Sequence, residues 1–138
     1  MRPAYDGMID EWTTNGPSAE LASGVANIIM SPGYDDSLWI AKWQGRPKEF
    51  IREPYRTLMS RDDLSDRLAD ITAPAIVFHG EVDTAIPMDK AEQLLKEMGG
   101  CEELVRIPGA GHASNLSHPS EVNGPLVTFL RRHRPSVV

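Results

Sequence analysis

Ala73-Pro-Ala-Ile-Val-Phe-His-Gly-Glu-Val-Asp83 and Ile107-Pro-Gly-Ala-Gly-His112 are the two stretches that decide the fold of this chain. The first contains a short β-rich run, Pro74 to His79, that is bounded by proline and glycine, as buried parallel strands commonly are. The second is preceded by another such run, from Glu103 to Ile107. Each predicted strand is followed by a glycine-containing turn and then by a side chain that can take part in proton transfer.

A helix is predicted after each strand, because apolar residues recur there at helical spacing. Pro87 fits the first turn of one helix, which ends before Gly99, and Pro119 opens the other. The apolar positions are Ala91, Leu94, Leu95 and Met98 in the first helix and Val122, Leu126, Phe129 and Leu130 in the second. The sequence pattern of residues 71–138 therefore predicts a β-α-β-α unit of the α/β class with a parallel strand pair. Such a unit is half of a doubly wound architecture.

Residues 1–70 show no convincing strand pattern and predict short helices separated by glycine and proline. Trp39 and Trp43 lie four residues apart and so share one helix face. The first two expected helices are Ala4–Trp12 and Ser18–Met30, with Ser18 as the N-cap of the second, and a third helix is capped by Asp35 or Asp36. A fourth helix is expected from Pro47, with Phe50, Ile51, Tyr55 and Leu58 at helical spacing, and a final turn or two from Arg61. The chain is therefore predicted to have two parts, residues 1–70 and 71–138.

The composition of the chain narrows its possible functions. The 138 residues are 41% hydrophobic and 25% charged, with a net charge of −6, as in soluble globular domains. No apolar run approaches the roughly 20 residues that a membrane span needs, so we expect a cytoplasmic protein without membrane contact. The basic residues are dispersed, which argues against a nucleic-acid partner. Because Cys101 is the only cysteine, an internal disulfide and a cysteine metal cluster are excluded.

Asp83 and His112 are the candidate catalytic residues. Both follow the carboxyl ends of predicted parallel strands, where the sites of open α/β sheets lie. The chain between them has room for one helix and one strand, so the two loops are expected side by side. An aspartate there can accept from one imidazole nitrogen and fix the tautomer, leaving the other nitrogen to take a proton from a nucleophile. We expect the carboxylate within roughly 2.6–3.2 Å of a ring nitrogen.

Residues 71–133 resemble the C-terminal part of an α/β-hydrolase, in the branch of small esterases, enol-lactonases and cofactor-free haloperoxidases. The matching positions are 74–83, Ile86-Pro87, 107–112, His118-Pro119, Asn123 and Phe129-Leu130. The resemblance implies that Asp83 is the triad acid and that His112 is the general base. No cofactor is expected, and no metal site either, because the histidines are scattered and the chain has no His-Glu-x-x-His or paired cysteine spacing. It also implies that residues 1–70 are the helical cap, although this part matches by helix pattern and not by motif.

The chain departs from the family because it lacks Gly-x-Ser-x-Gly, the turn that exposes the nucleophile. That turn, the oxyanion-hole loop and the first six strands are expected upstream of Met1. Ser114 is too near His112, on the same loop, to replace the nucleophile. An Asp-His pair without a nucleophile and oxyanion donors lacks the groups that supply most of the rate enhancement, so we expect the chain alone to be inactive.

The tryptophans and the remaining histidines have more than one interpretation. Trp39, Trp43 and Trp12 either line an apolar substrate pocket beneath the cap or pack in the core, as aromatic residues at helical spacing more often do. His79 lies inside a strand and is expected to be structural. His118 is expected to be a loop residue or to lead into the last helix, and a contact with the substrate is the alternative.

Two functions remain open from the sequence. In the first, the chain is a fragment, a separately encoded half or a truncated gene model of a hydrolase, and it donates its acid and base to a site for a small apolar ester or lactone. In the second, it is an inactive remnant that works as a binding or oligomerisation module. The strand at 74–79 has a free edge in either case, so a homodimer or a complementary N-terminal half is the expected partner.

Overall fold

The computed structural model describes residues 2–134, with side chains from residue 5 onwards, and this part of the chain forms two compact units. The first unit comprises the residues up to 27 and residues 35–63, and the second comprises residues 28–34 and the chain from residue 64. Residues 28–34 thus group with the second unit, although they lie within the stretch assigned to the cap from the sequence. The second unit is therefore built from two separate pieces of the chain.

Four α-helices make up most of the first unit. They are α1 (Arg2–Asn15), α2 (Ala19–Ile29, whose last two residues belong to the second unit), α3 (Ser37–Gln44) and α4 (Arg52–Met59). As predicted, Ser18 caps α2, because its hydroxyl oxygen accepts the N–H of Leu21 at 3.1 Å. Before α3, the Asp35 carboxylate accepts the N–H of Ser37 at 3.1 Å, whereas Asp36 occupies the N-cap position without a side-chain bond.

The helix predicted from Pro47 is divided in two. Lys48–Ile51 forms a 3₁₀ helix, and α4 follows directly from Arg52. Pro54 accounts for the division, because it has no N–H to donate to the carbonyl of Phe50 four residues earlier. The apolar spacing predicted helical structure here, and the proline determines where one type of helix gives way to the other.

Trp12 anchors the packing of the first unit. It is 3% exposed and meets Trp43 edge to face, with ring centroids 6.3 Å apart and ring planes inclined by 62°. Aromatic pairs in this arrangement stabilise a fold beyond the area that they bury. Ile9, Ala22 and Ala26 are also buried in this unit. The Trp12 indole is therefore a core residue of the first unit.

The second unit contains a two-stranded parallel sheet. Its elements are a 3₁₀ helix (Ser65–Asp70), β1 (Ala75–Gly80), α5 (Met88–Glu97), β2 (Cys101–Ile107), α6 (Ser114–Ser117) and α7 (Pro119–Arg132). The strands pair in parallel from Ala75 opposite Cys101 to Gly80 opposite Ile107, with one irregularity between Ala75 and Ile76. The β-α-β-α order and the parallel pair are those predicted from the sequence, and the short α6 is an addition.

The buried core of the second unit joins β2, the loop that follows it, and α7. Ile107, Ala110 and Val122 are buried in this core, and Phe78 and Val105 pack against them. The core therefore holds the loop after β2 tightly, since Ala110 in that loop is fully buried. This loop continues directly into the candidate base.

Gly80, the last residue of β1, lies directly against the same loop. A Cβ atom on Gly80 would come within 2.2 Å of the carbonyl oxygen of Ala110, so a side chain here would force the two segments apart. The N–H of Val82 also donates to the Ala110 carbonyl, at 3.0 Å. These contacts bring the residues after β1 beside the residues after β2, and so bring Asp83 and His112 together.

Candidate active site

Asp83 lies in the turn that follows β1, and the backbone of that turn fixes its carboxylate. One oxygen, Oδ1, accepts the N–H of Ala85 at 2.8 Å and the N–H of Ile86 at 3.0 Å. Aspartate forms such turns readily because its short side chain reaches the backbone two residues on. The side chain is 4% exposed. Its second oxygen, Oδ2, is left to interact with the neighbouring loop.

The His112 ring meets that second oxygen. Its Nδ1 lies 2.9 Å from Asp83 Oδ2, within the range expected from the sequence. Because a carboxylate only accepts hydrogen bonds, Nδ1 carries the proton of this bond, and the lone pair of the neutral ring is on Nε2. The His112 side chain is 45% exposed. The pair therefore combines a buried acid with an accessible nitrogen that can accept a proton.

The surroundings of Asp83 keep it ionised. Burial raises the pKa of the Asp83 carboxyl, but the N–H of Ile86, the His112 ring and the N–H of Ala85 together outweigh burial and hold this pKa below its ordinary value of 3.8. Asp83 is therefore negatively charged at neutral pH. A negative charge beside the ring stabilises the imidazolium that forms when His112 takes up a proton.

His79 supports the same turn from within β1. The residue is 8% exposed, and its ring Nε2 lies 3.0 Å from the carbonyl oxygen of Ile86. The distance from this nitrogen to Asp83 Oδ2 is 3.7 Å, too long for a hydrogen bond. Nε2 therefore carries a proton and donates it to Ile86. This contact gives His79 the structural role expected of it and links it to the turn that carries the acid.

A cleft opens beside the Asp-His pair. It has a volume of about 120 Å³ and is lined by Phe78, His79, Gly80, Asp83, Ile86 and His112. All of these residues come from β1 and from the two loops that follow the strands. The accessible face of the His112 ring thus borders a space that a reacting group can enter.

The three tryptophans considered as pocket residues all belong to the first unit. Trp12 lies in α1, and Trp39 and Trp43 lie in α3. Trp39 is half-buried, with the Lys42 ammonium 4.5 Å from its ring centroid, a cation–π contact. The candidate acid and base belong to the second unit.

Two further polar residues follow the base closely in the sequence. Ser114 begins α6 and is buried, so its hydroxyl is not available to a substrate. His118 lies between α6 and α7, and its Nδ1 is 2.8 Å from the hydroxyl oxygen of Ser117. Both residues therefore belong to the framework of the loop.

The sequence analysis missed the residues that hold the backbone on either side of His112. The hydroxyl oxygen of Ser31 accepts the N–H of Gly111 at 2.8 Å, and the carbonyl of Ile29 accepts the N–H of Ala113 at 2.8 Å. Ser31 and Gly111 are 80 residues apart in the chain. The sequence around Ser31 marks the end of a helix, but no local pattern indicates its distant partner.

In the part of the chain that the structure describes, no three side chains of the types His, Cys, Asp or Glu are grouped so that they could hold a metal ion. No helix of that part is both long enough and apolar enough to cross a bilayer.

No family model matches this chain, and the two relatives described next are larger than it. The chain is 32% identical over 127 residues to the "Uncharacterized peptidase YuxL" of Bacillus subtilis, a match that covers 86% of this chain and 19% of that protein. It is 24% identical over 132 residues to the non-heme haloperoxidase of Rhodococcus erythropolis, with 91% of this chain and 48% of that protein covered. The chain thus spans less than half the length of either relative.

This chain also matches a solved structure over only about half of that structure's length. The esterase from Exiguobacterium antarcticum matches with a TM-score of 0.75 and 20% identity, over 95% of this chain and 48% of that one. At this level of identity the likeness shows the fold alone. The described residues therefore have the architecture of about half of a larger enzyme fold.

Proposed function

Because this chain belongs to the α/β-hydrolase superfamily and corresponds to about half of the structures that it matches, we propose that it is the C-terminal portion of a hydrolase acting on an ester or a lactone. In this proposal Asp83 is the triad acid and His112 is the general base. The observation that carries it is the 2.9 Å contact between His112 Nδ1 and Asp83 Oδ2, made beyond the carboxyl ends of β1 and β2. Open parallel sheets bind their ligands at that edge.

The pair would supply the proton transfers of acyl hydrolysis. As a serine hydroxyl attacks the substrate carbonyl, His112 Nε2 takes the hydroxyl proton, and the Asp83 carboxylate stabilises the resulting imidazolium. The imidazolium then protonates the leaving alkoxide, which departs as an alcohol and leaves an acyl-serine. In the second half of the reaction water attacks the acyl-serine carbonyl as His112 takes one of its protons; the bond from the acyl carbon to the serine oxygen then breaks, this proton returns to the serine oxygen, and the carboxylic acid is released.

The nucleophile would come from another segment of polypeptide. These 138 residues contain no Gly-x-Ser-x-Gly, and the buried Ser114 is poorly placed to replace it. We therefore assign the nucleophilic serine and the oxyanion-hole donors to a segment that is either continuous with this chain or separate from it. The chain would contribute the acid and the base to the shared site.

The free edge of β1 is where that segment would join the sheet. In the described residues the sheet consists of β1 and β2, so one edge of β1 has no strand beside it. An unpaired edge presents N–H and C=O groups that recruit a further strand. A complementary N-terminal half fills this edge in the proposed enzyme, and a second copy of the chain fills it when that half is absent.

We assign residues 1–70, apart from residues 28–34 and 64–70, which group with the second unit, to the cap that the family resemblance implies. The half-buried Trp39 and Trp43 are the candidates in this segment for contact with an apolar substrate. Trp12 is less suited to that role because it is almost fully buried against Trp43. This assignment favours substrates with an apolar acyl or alcohol group.

Two alternatives have specific support. A peptide bond is the second candidate substrate, because the relative from Bacillus subtilis is named a peptidase, and its cleavage would use the same acid and base. A non-catalytic binding or oligomerisation module is the alternative to catalysis, because the chain has no recognisable serine motif.

Completing the fold tests the proposal. The chain is co-expressed with an α/β-hydrolase N-terminal half that contains a Gly-x-Ser-x-Gly turn, and the complex is assayed with p-nitrophenyl butyrate and with a peptide p-nitroanilide. We expect ester hydrolysis that falls by about a thousandfold in His112→Ala and is unchanged in Ser120→Ala, an exposed control in α7. Faster cleavage of the anilide would indicate a peptidase, and a folded complex without turnover would support the binding module.

A further inference from the structure

The residues on both sides of His112 donate their backbone N–H groups to one short segment, residues 29–31. The N–H of Gly111 donates to the Ser31 hydroxyl, and the N–H of Ala113 donates to the carbonyl of Ile29, both at 2.8 Å. All of these residues belong to the second unit. Because the two bonds bracket His112, they fix the backbone from which its side chain extends.

Gly111 allows this segment to come unusually close. A Cβ atom on Gly111 would lie 2.7 Å from the carbonyl oxygen of Met30 and 3.2 Å from the Cα atom of Ser31, so only glycine fits without displacement. Ser31 is 6% exposed, and Gly111 is also buried. Water therefore has little access to replace the bond between them, and losing this bond would leave a buried N–H without an acceptor.

The Ser31 hydroxyl is itself oriented by a second serine. Its oxygen lies 2.5 Å from the hydroxyl oxygen of Ser117, which lies 2.8 Å from His118 Nδ1. The Ser31 oxygen accepts the Gly111 N–H, so the Ser31 hydroxyl proton is available to Ser117, whose other partners are His118 Nδ1 and, at 3.5 Å, the Ala113 carbonyl. The Ser31 oxygen is thus left as an acceptor directed at Gly111.

We propose that Ser31 is a positioning residue for His112, whose hydroxyl holds the backbone at Gly111 and thereby sets where the His112 ring stands relative to Asp83. The inference rests on the proposed function in that it takes His112 to be the general base. Ser31 acts through Gly111 and makes no contact with the substrate. Its effect is therefore on the geometry of the Asp83–His112 bond, which can be measured without turnover.

Nuclear magnetic resonance of the full, ¹⁵N-labelled chain tests the proposal. Hydrogen exchange is measured at the Gly111 and Ala113 amides, and the His112 ring is observed through its Nδ1 proton. The variants are Ser31→Ala, which removes the hydroxyl, and Ser31→Thr, which keeps it. Ser120→Ala, at an exposed position of α7, is the matched control.

We expect Ser31→Ala to speed exchange of the Gly111 amide about tenfold and to speed loss of the His112 Nδ1 proton by a similar factor. Ser31→Thr should stay within about twofold of the wild type, because it retains the acceptor. Faster exchange at Gly111 with an unchanged His112 ring signal would overturn the proposal, since Ser31 would then stabilise the loop without positioning the base. A wild-type Gly111 amide without protection would also overturn it.

Ser117→Ala decides the matter if Ser31→Ala does not fold. It removes the group that orients the Ser31 hydroxyl, so we expect the Gly111 amide and the His112 Nδ1 proton both to exchange about threefold faster, and faster exchange at Gly111 with an unchanged Nδ1 proton would overturn the proposal. A failure of the proposed function would give a different result from a failure of the proposal for Ser31. A wild-type chain whose His112 ring carries no proton on Nδ1 would count against the Asp83–His112 pair itself, whereas a normal ring that is insensitive to Ser31 counts against Ser31 alone.

Discussion

Asp83 and His112 share one hydrogen bond but differ in their surroundings, because the aspartate side chain is 4% exposed and the histidine side chain is 45% exposed. The buried carboxylate is held by two backbone N–H groups in addition to the ring. A general base has to be reached by the group that gives it a proton, whereas the residue that orients the base does not. The difference in exposure therefore suits the two roles proposed.

Replacing Asp83 by asparagine should reverse the tautomer of His112. The N–H groups of Ala85 and Ile86 need an acceptor, so the new amide oxygen would face them and the amide NH₂ would face Nδ1. The ring proton then moves to Nε2, and the completed enzyme should lose a factor of about 10⁴ in kcat. Ring ¹⁵N shifts of the chain alone report the tautomer. A proton that stays on Nδ1 in Asp83→Asn would contradict the assigned geometry.

The lowered pKa of Asp83 should make the stability of the chain depend on pH. Because the folded-state pKa of Asp83 lies below its ordinary value of 3.8, the carboxylate contributes stability that is fully present well above that value and is lost as the pH falls through the folded-state pKa. Asp35, whose pKa is lowered by hydrogen bonds to the Ser37 side chain and backbone, acts with the same sign. We expect the urea midpoint to fall as the pH is lowered below about 5, and to fall less in Asp83→Asn.

The matched control for this pH series is Asp35→Asn, which removes the other lowered carboxyl from the first unit. A pH profile of Asp83→Asn that coincides with that of the wild type would show that the Asp83 carboxylate is not coupled to folding.

His79→Phe should destabilise the chain although the ring size is nearly preserved. The substitution removes the Nε2 proton donated to the Ile86 carbonyl, and leaving that partly buried acceptor unpaired costs about 1–3 kcal/mol. Urea unfolding at pH 7 measures the change, and Ser120→Ala should stay within about 0.5 kcal/mol of the wild type. A fully stable His79→Phe would mean that this bond does not support the Asp83 turn.

The free edge of β1 should be visible in hydrogen exchange. The N–H groups of Ala75 and Glu81 donate to carbonyls at or next to the two ends of β2, so both point toward that strand. Because N–H groups alternate in direction along a strand, the amides of Ile76 and Phe78 point to the open edge of β1. In dilute solution these two amides should exchange rapidly, and protection should appear as the concentration rises and copies pair. Equal protection at every concentration would argue against pairing through this edge.

The pairing of Asp83 with His112 could be predicted because parallel strands end at the same edge of a sheet, which places their following loops side by side. Proline and glycine marked the strand ends closely: the run predicted at Pro74 to His79 is the strand Ala75–Gly80. These features are local, and periodicity with turn chemistry is enough to detect them.

The contacts of Ser31 could not be predicted in this way. Its partner Gly111 is 80 residues away, and their meeting depends on how residues 28–34 return to the second unit. The division of the fourth helix at Pro54 is a different case, because the cause is local. Apolar spacing does not distinguish a 3₁₀ helix from an α-helix, although the missing N–H of the proline does.

The claim that this chain supplies an acid and a base but no nucleophile is tested most directly with a fluorophosphonate probe, which bonds to an activated serine oxygen as fluoride leaves. Mass spectrometry locates the adduct in the purified chain and in the complex with an N-terminal half. We expect no adduct on residues 1–138 and one adduct on the serine of the Gly-x-Ser-x-Gly turn, formed about a hundredfold more slowly in His112→Ala. An adduct on a serine of this chain that disappears in His112→Ala, or labelling of the complex that does not depend on His112, would contradict the claim.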